Sequence, residues 1–272
     1  MQRDSIANTF RVAILLCLVC SVAVSSLAVG LRGIQKQKKE EFRQQNILKA
    51  AGLWPTERDG DDADPGDVDT TALFDEHITS VVLDFRKDAL TKAWQAGAPE
   101  IETETALRDE KLSQQIDGSE ETGPDIAGIR RRETYATVYE VRDGDQLKTL
   151  ILPIRGYGLW STLWGFIAID FSSATDDPTS LKVAGLAFYK HAETPGLGGE
   201  VDNDSWKAKW HDKQVFDSDW KVQLEVAKNA SGNYQVDALA GATLTSNGVS
   251  NMLLYWLGEP GYGPYLKSLL EK

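Results

Sequence analysis

Residues 12–31, VAILLCLVCSVAVSSLAVGL, form an unbroken run of twenty residues without one charged side chain. A helix of that length rises about 30 Å, the thickness of a bilayer's hydrocarbon core. A lone segment in hydrocarbon can satisfy its own backbone polar groups only as a helix. A secretory signal has an apolar core of roughly 7–15 residues before a small-x-small cleavage site. This run is longer, and Ser25-Ser26-Leu27-Ala28 makes only a fair cleavage sequence. We read residues 1–31 as an N-terminal segment with a retained transmembrane helix over 12–31. Cys17 and Cys20 both lie inside it, with no second pair and no nearby histidine. They read as small apolar helix residues rather than a redox or metal pair. No other cysteine exists, so the remainder holds no internal disulfide and no thiolate-bound cluster.

The span does not set the character of the whole chain. Of 272 residues, 26% are charged, which excludes a multi-span membrane protein and leaves room for one sizeable core. The net charge of −12 divides unevenly, with +4 on the first forty residues and −16 on the rest. So acidic a body repels phosphate backbones, and no nucleic-acid partner is expected. More basic residues follow the span (Arg32, Lys36, Lys38, Lys39) than precede it (Arg3, Arg11). A positive-inside count would leave the main domain in the cytoplasm, although long domains cross largely regardless of such counts.

Beyond the span, residues 32–54 carry good helix formers with apolar residues at loosely helical spacing, including Ile34, Phe42, Ile47, Leu48 and Leu53, and Pro55 stops them. They read as a helical stalk, and 55–272 as one further domain. Residues 58–69 (RDGDDADPGDVD) lack the glycine and the twelfth-position glutamate of a calcium loop, so they read as a solvated loop. Residues 78–85 suggest a strand. Residues 98–132 suggest a surface excursion with short helices. Residues 134–141 (TYATVYEV) alternate as a strand should, and Arg142-Asp143-Gly144-Asp145 makes a hairpin turn. Residues 147–153, 165–170 and 181–189 continue the strand pattern. From Ser246, apolar Val249, Met252, Leu253, Trp256 and Leu257 mark a helix packed on a core. The expectation is an α+β fold: one N-terminal transmembrane helix, then an antiparallel sheet with packed helices.

Gly241-Ala242-Thr243-Leu244-Thr245-Ser246 stands just before that helix. A helix's first turn offers unpaired N–H groups and partial positive charge, which favour an anion such as phosphate. Gly241 and Ala242 leave room for close approach, Thr243 offers a hydroxyl that can be esterified, and Thr245 and Ser246 are candidate donors to phosphate oxygens. The plain alternative is that these hydroxyls are N-caps.

Asp237-Ala238-Leu239-Ala240-Gly241-Ala242-Thr243 resembles D-x-x-[ST]-G-A-T, the flavinylation motif of the FMN-binding-domain family. In that family FMN is transferred from FAD onto the final threonine as a phosphodiester. Ala240 departs from the motif, where Ser or Thr is usual. About forty residues upstream, His191-Ala192-Glu193-Thr194-Pro195-Gly196-Leu197-Gly198 resembles the family's E-T-P-G-L-G loop. Pro195 fixes its turn, Gly196 and Gly198 allow backbone to approach a ring, and Leu197 offers an apolar face. Gly156-Tyr157-Gly158-Leu159-Trp160-Ser161, with Trp164 and Gly165, resembles a third signature.

The whole layout, a span followed by a Lys- and Gln-rich stalk and these three segments, is similar to the C subunits of Na⁺-translocating NADH:quinone reductases. The G subunits of Rnf-type complexes share the motifs and are the alternative; a flavin-free, membrane-tethered assembly module is a second. The resemblance implies a covalent FMN on Thr243, with Asp237, Gly241, Ala242, Leu244, Thr245, Thr194, Gly196, Leu197, Gly198, Trp160, Ser161 and Lys207 around it. It implies an electron-carrying subunit that relays electrons from NADH toward ubiquinone, coupled to Na⁺ export. Its implied partners are the other subunits, a flavin transferase during maturation, and the membrane. It implies a single-pass protein of the bacterial inner membrane with the flavin domain in the periplasm, against the positive-inside count. No catalytic residue and no metal ligand are expected on this chain. It has no G-x-G-x-x-G after a strand for NADH, and its span has no charged residue to form an ion path. His191 and His211 read as ordinary surface or satisfied histidines.

Overall fold

The computed structural model describes residues 6–55, 68–86 and 102–271. The Asp/Gly-rich stretch expected as a loop lies outside these residues except for positions 68 and 69, as do positions 98–101 of the expected excursion. The chain divides into two compact units, residues 1–43 and 44–272.

The first unit is helical. Helix α1 covers Ile6–Ala50 and crosses the boundary between the units. Its large apolar side chains from Ile6 to Leu31 are exposed all round, which water would not tolerate and hydrocarbon would. It is long and apolar enough to cross a membrane.

The second unit begins with the last turns of α1. These are followed by α2 (Thr70–His77), β1 (Thr79–Asp84), α3 (Thr103–Ala106), β2 (Ser113–Gln115), β3 (Arg131–Glu133), β4 (Tyr135–Asp143), β5 (Gln146–Tyr157), β6 (Thr162–Asp170) and β7 (Lys182–Lys190). Then come α4 (Asp204–Lys207), β8 (Glu225–Ala227), β9 (Gln235–Asp237), α5 (Thr243–Leu257) and α6 (Gly263–Leu270). Five strands form an antiparallel sheet in the order β1-β4-β5-β6-β7. The β4–β5 hairpin turns at Gly144, whose φ of 58° suits a residue without Cβ.

Both faces of this sheet are covered. On β5, Leu150, Leu152 and Ile154 join the larger core with Val249, Met252, Leu253 and Trp256 of α5 and Leu266 of α6. The intervening Ile151 points the other way, into a second cluster with Ile47, Leu48 and Ala50 of α1, Trp54, Phe166 of β6 and Ala187 of β7. That is the period-two alternation of a strand with apolar cover on each side. The strand expected over 134–141 is β4, and cover on both faces buries it at five consecutive positions, 136–140. Residues 98–132 hold a short helix, α3, as expected, but also β2, which pairs antiparallel with β3, where Arg132 and the adjoining Glu133 are buried. Glu133 is paired with Arg155 at 2.6 Å, and the Arg155 guanidinium lies 5.0 Å from the Trp256 ring centre.

The end of α1 sits tightly on the sheet. A Cβ placed on Gly185 of β7 would lie 2.3 Å from the Ala50 carbonyl oxygen. Overpacking of this kind costs about 1–3 kcal/mol. Gly185→Val is therefore expected to lower the melting temperature of the domain by several degrees, measured by thermal unfolding.

Candidate functional site

The three segments singled out in the sequence meet at one buried carboxylate. Glu193, 5% exposed, follows β7. Its Oε1 accepts the backbone N–H groups of Leu159, Trp160 and Ser161 at 3.1, 3.0 and 3.2 Å. Its Oε2 accepts the Thr245 hydroxyl at 2.8 Å. One side chain thus ties the β5–β6 turn and the first turn of α5 to the Thr-Pro-Gly-Leu-Gly loop. Burial alone would raise its pKa, but the N–H bond from Trp160, the hydroxyl of Thr245 and the N–H bonds from Ser161 and Leu159 outweigh it and hold the carboxyl below its ordinary value. His191 braces the same residue: its Nδ1 accepts the Glu193 N–H at 3.2 Å, while its Nε2 bonds Asp202 at 2.7 Å. Ser161 closes the loop from the other side, its hydroxyl accepting the Ala192 N–H at 2.7 Å.

Glycines make the junction possible. A Cβ on Gly158 would lie 2.7 Å from Glu193 Oε1, and one on Gly198 would lie 2.6 Å from the Thr245 hydroxyl oxygen. On Gly248 it would lie 2.3 Å from the Tyr157 carbonyl oxygen. Gly241 holds φ at 71°, and its missing Cβ faces Leu197 Cδ2 at 3.0 Å. The tip of the upstream loop therefore rests against the turn that enters α5.

Thr243 is the first residue of α5, and it is exposed. The cap position belongs to Ala242, which has no side-chain cap bond. Thr243 is thus not the N-cap that a plain reading of the sequence would make it, and the first N–H groups of the helix have no acceptor within it. Ser246 and Thr245 spend their hydroxyls inside the protein: Ser246 Oγ accepts the Leu239 N–H at 3.1 Å, and Thr245 bonds Glu193. Neither hydroxyl is presented as a phosphate donor; what Thr245 can offer an anion is its backbone N–H. The Leu239–Ala242 turn closes through a backbone bond of 3.1 Å, so Ala240 leaves it intact without a hydroxyl.

The motif's Asp237 points away from this junction toward Lys209, at 3.1 Å, and the Lys209 ammonium holds its pKa down. Its carbonyl accepts the Trp206 indole N–H at 2.8 Å. Lys207, the sequence's candidate for offsetting phosphate charge, is paired with Asp204 at 2.7 Å instead. Thr194 contributes backbone, its carbonyl accepting the N–H groups of Leu197 and Gly199. Gly196 takes φ 75° in that turn.

Around the junction the surface is apolar and open. Trp160 is 67% exposed, Leu244 58%, Tyr157 49%, Leu197 44% and Leu159 38%. Five large apolar side chains left in water on three joined segments mark a surface that receives a ligand or partner. Among the described residues no group of His, Cys, Asp and Glu could hold a metal ion. The sequence alone gives Glu193 no role beyond its place in the loop. Its signal is that it is the loop's one acidic residue amid apolar and glycine neighbours, and only tertiary contact gives it four donors.

Because the folded pKa of Glu193 lies below the unfolded one, its stabilisation is complete above the ordinary glutamate value of about 4.3 and is lost as pH falls through the folded value. Glu193→Gln puts an amide N–H₂ where N–H donors converge and leaves part of the cluster unsatisfied, a cost of about 1–3 kcal/mol. The expected outcome is a wild-type advantage in melting temperature at pH 7 that shrinks below pH 4, followed by thermal unfolding across that range.

The FMN-binding domain family matches residues 158–258, which contain the 191–198 and 237–246 segments and all of 156–161 except Gly156 and Tyr157. Over 98% of its length the chain is 41% identical to the C subunit of the Na⁺-translocating NADH-quinone reductase of Pseudomonas aeruginosa, covering 97% of that protein. It is 40% identical to the corresponding C subunit of Yersinia pestis, over 99% of this chain and 95% of the relative. In three dimensions it superposes on the crystal structure of Shewanella oneidensis NqrC with a TM-score of 0.70 and 26% identity, covering 87% of this chain and all of that one. With the fold, the converging segments and near full-length identity in agreement, this chain belongs to the family of Na⁺-translocating NADH-quinone reductase C subunits.

Proposed function

We propose that the chain carries FMN as a phosphodiester on the Thr243 hydroxyl and relays electrons within a Na⁺-translocating NADH:quinone reductase, between NADH-derived reductant and ubiquinone. The observation that carries this reading is the position of Thr243: exposed, first in α5, relieved of capping by Ala242, and beside the apolar surface held by Glu193. The residues present fit the group. The acceptor-free N–H groups of the first turn suit the phosphate diester's negative charge. Gly241, without Cβ and at positive φ, lets the chain pass close to it. Leu197, Leu244, Leu159 and Trp160 supply apolar faces for an isoalloxazine ring.

Attachment breaks the pyrophosphate bond of FAD and forms an ester bond at Thr243 Oγ1; the hydroxyl proton is lost and AMP leaves. A flavin transferase would catalyse it, and that requires the exposed hydroxyl seen here. Once bound, the flavin supplies one- and two-electron redox chemistry. The protein's share is to keep the cofactor from dissociating, to orient it on the apolar platform and to set its potential through N–H contacts and exposure. The apolar helix of residues 12–31 would anchor the chain in the bacterial inner membrane. The flavin domain would then face the periplasm, with the other subunits providing the NADH, quinone and Na⁺ sites.

Co-expression with the transferase, followed by denaturing electrophoresis under ultraviolet light, tests the linkage. Wild type is expected to fluoresce and Thr243→Ala to lose at least about tenfold of that signal, while Thr245→Ala retains it. A dark wild-type band beside an active transferase would favour the flavin-free assembly module. Trp160→Ala is expected to leave attachment intact and to shift the visible spectrum and potential of the bound flavin.

A further inference from the structure

The stalk carries a second surface that the flavin site does not use. Within α1, Arg32, Lys36, Lys39 and Arg43 fall at spacings of four, three and four residues. At 3.6 residues per turn they occupy an arc of about 60°, a single stripe along one side of the helix. Arg32, Lys36 and Lys39 are exposed, and Arg43 is half-buried, donating to Glu40 at 3.2 Å. The other acidic residue of this stretch, Glu41, lies on the opposite side, where Lys38 bonds it at 2.5 Å. Ile34 and Phe42, 59% and 48% exposed, also lie away from the stripe. The stalk is therefore two-sided: one side basic, the other mixed with apolar side chains.

The stripe starts at the residue that follows the apolar run. Leu31 is the last apolar residue of the span and Arg32 the next. A rise of 1.5 Å per residue puts Arg32 and Lys36 within about 8 Å of the hydrocarbon boundary, which is the depth of the headgroup layer. Lys39 and Arg43 stand at about 12 and 18 Å, beyond direct contact and at or past the screening length of about 8 Å in physiological salt. Long basic side chains at such a boundary run their methylenes along the apolar surface and place the charge among phosphates.

We propose that this stripe binds the headgroups of anionic phospholipids, with Arg32 and Lys36 in direct contact with phosphate and Lys39 and Arg43 adding weaker attraction from farther out. The inference rests on the reading of residues 12–31 as a membrane span. It is independent of the flavin, and it holds whichever leaflet the stalk leaves. It also assigns a use to the basic residues after the span, which a positive-inside count treats only as a topology signal. An acidic surface on a partner subunit is the competing occupant. Lipid fits better because the cations begin at the very edge of the span, where headgroups are always present.

The test uses the full-length chain in mild detergent, with phosphatidylglycerol or phosphatidylethanolamine added and the retained lipid measured by native mass spectrometry. Each cation near the surface is worth about five-fold in affinity. Wild type is expected to retain phosphatidylglycerol at least tenfold over phosphatidylethanolamine, and to lose that preference in 1 M salt. R32Q/K36Q should lower phosphatidylglycerol retention tenfold or more, and K39Q/R43Q less than threefold. Glutamine keeps the helix propensity, and circular dichroism checks that the helix persists. Equal retention of the two lipids by wild type overturns the proposal. So does wild-type retention by R32Q/K36Q, including the case in which that variant instead falls away from its co-purifying subunits. Flavin fluorescence is expected unchanged in all variants, so failure here is distinguishable from failure of the Thr243 assignment.

Discussion

The site depends on a carboxylate kept ionised inside the protein. Glu193 has almost no contact with water, yet three backbone N–H groups and a hydroxyl converge on it. Donors held in place by the fold replace the hydration it loses. The donors come from two distant places in the sequence: a tight turn after β5, and the first turn of a helix some fifty residues beyond Glu193. The arrangement fixes loops that have little apolar burial of their own, and it leaves their large side chains facing outward. Without such a node, Leu159, Trp160 and Leu197 would have no reason to stay exposed in one region rather than collapse onto the core.

The scaffold explains why those loops lie where they do. Coverage of the sheet on both faces fixes β5 and β6 rigidly, and α5 packs along β5 so closely that Gly156 and Gly248 are needed at the crossing. The first turn of α5 is thereby delivered to the turn between β5 and β6. Thr243 stands in the first turn of that helix, exposed and with a backbone N–H that has no intrahelical acceptor. In the proposed function the phosphate would complete the helix end, where Ala242 offers no side-chain cap.

Much of this was legible in the sequence, and the parts that were not share a cause. The span, the β4–β5 hairpin, β7 and the helix with its stripe from Val249 to Leu257 follow from local periodicity, which needs no partner to be read. The burial of consecutive residues in β4 was not legible, because part of the cover on its second face comes from the far end of α1, a contact over some ninety residues. Residues 98–132 read as surface because the stretch is charged and rich in glycine. Arg132 is nonetheless buried, its guanidinium donating to the carbonyls of Pro260 and Phe85, and the adjoining Glu133 is buried against Arg155. At the candidate site, the motifs named segments that the fold brings together on Glu193, but side-chain partners were set by tertiary pairing. Lys207, named for phosphate charge, pairs with Asp204, and Thr245 turns its hydroxyl inward to Glu193.

The central claim, that Thr243 is the point of covalent attachment, is tested most directly by peptide mapping. The chain matured with its transferase would be digested and its peptides sequenced by tandem mass spectrometry. The account requires one peptide heavier by the mass of FMN less water, with fragment ions placing the addition on Thr243. An unmodified Thr243 in a flavin-bearing preparation, or an addition on Thr245 or Ser246, would contradict it.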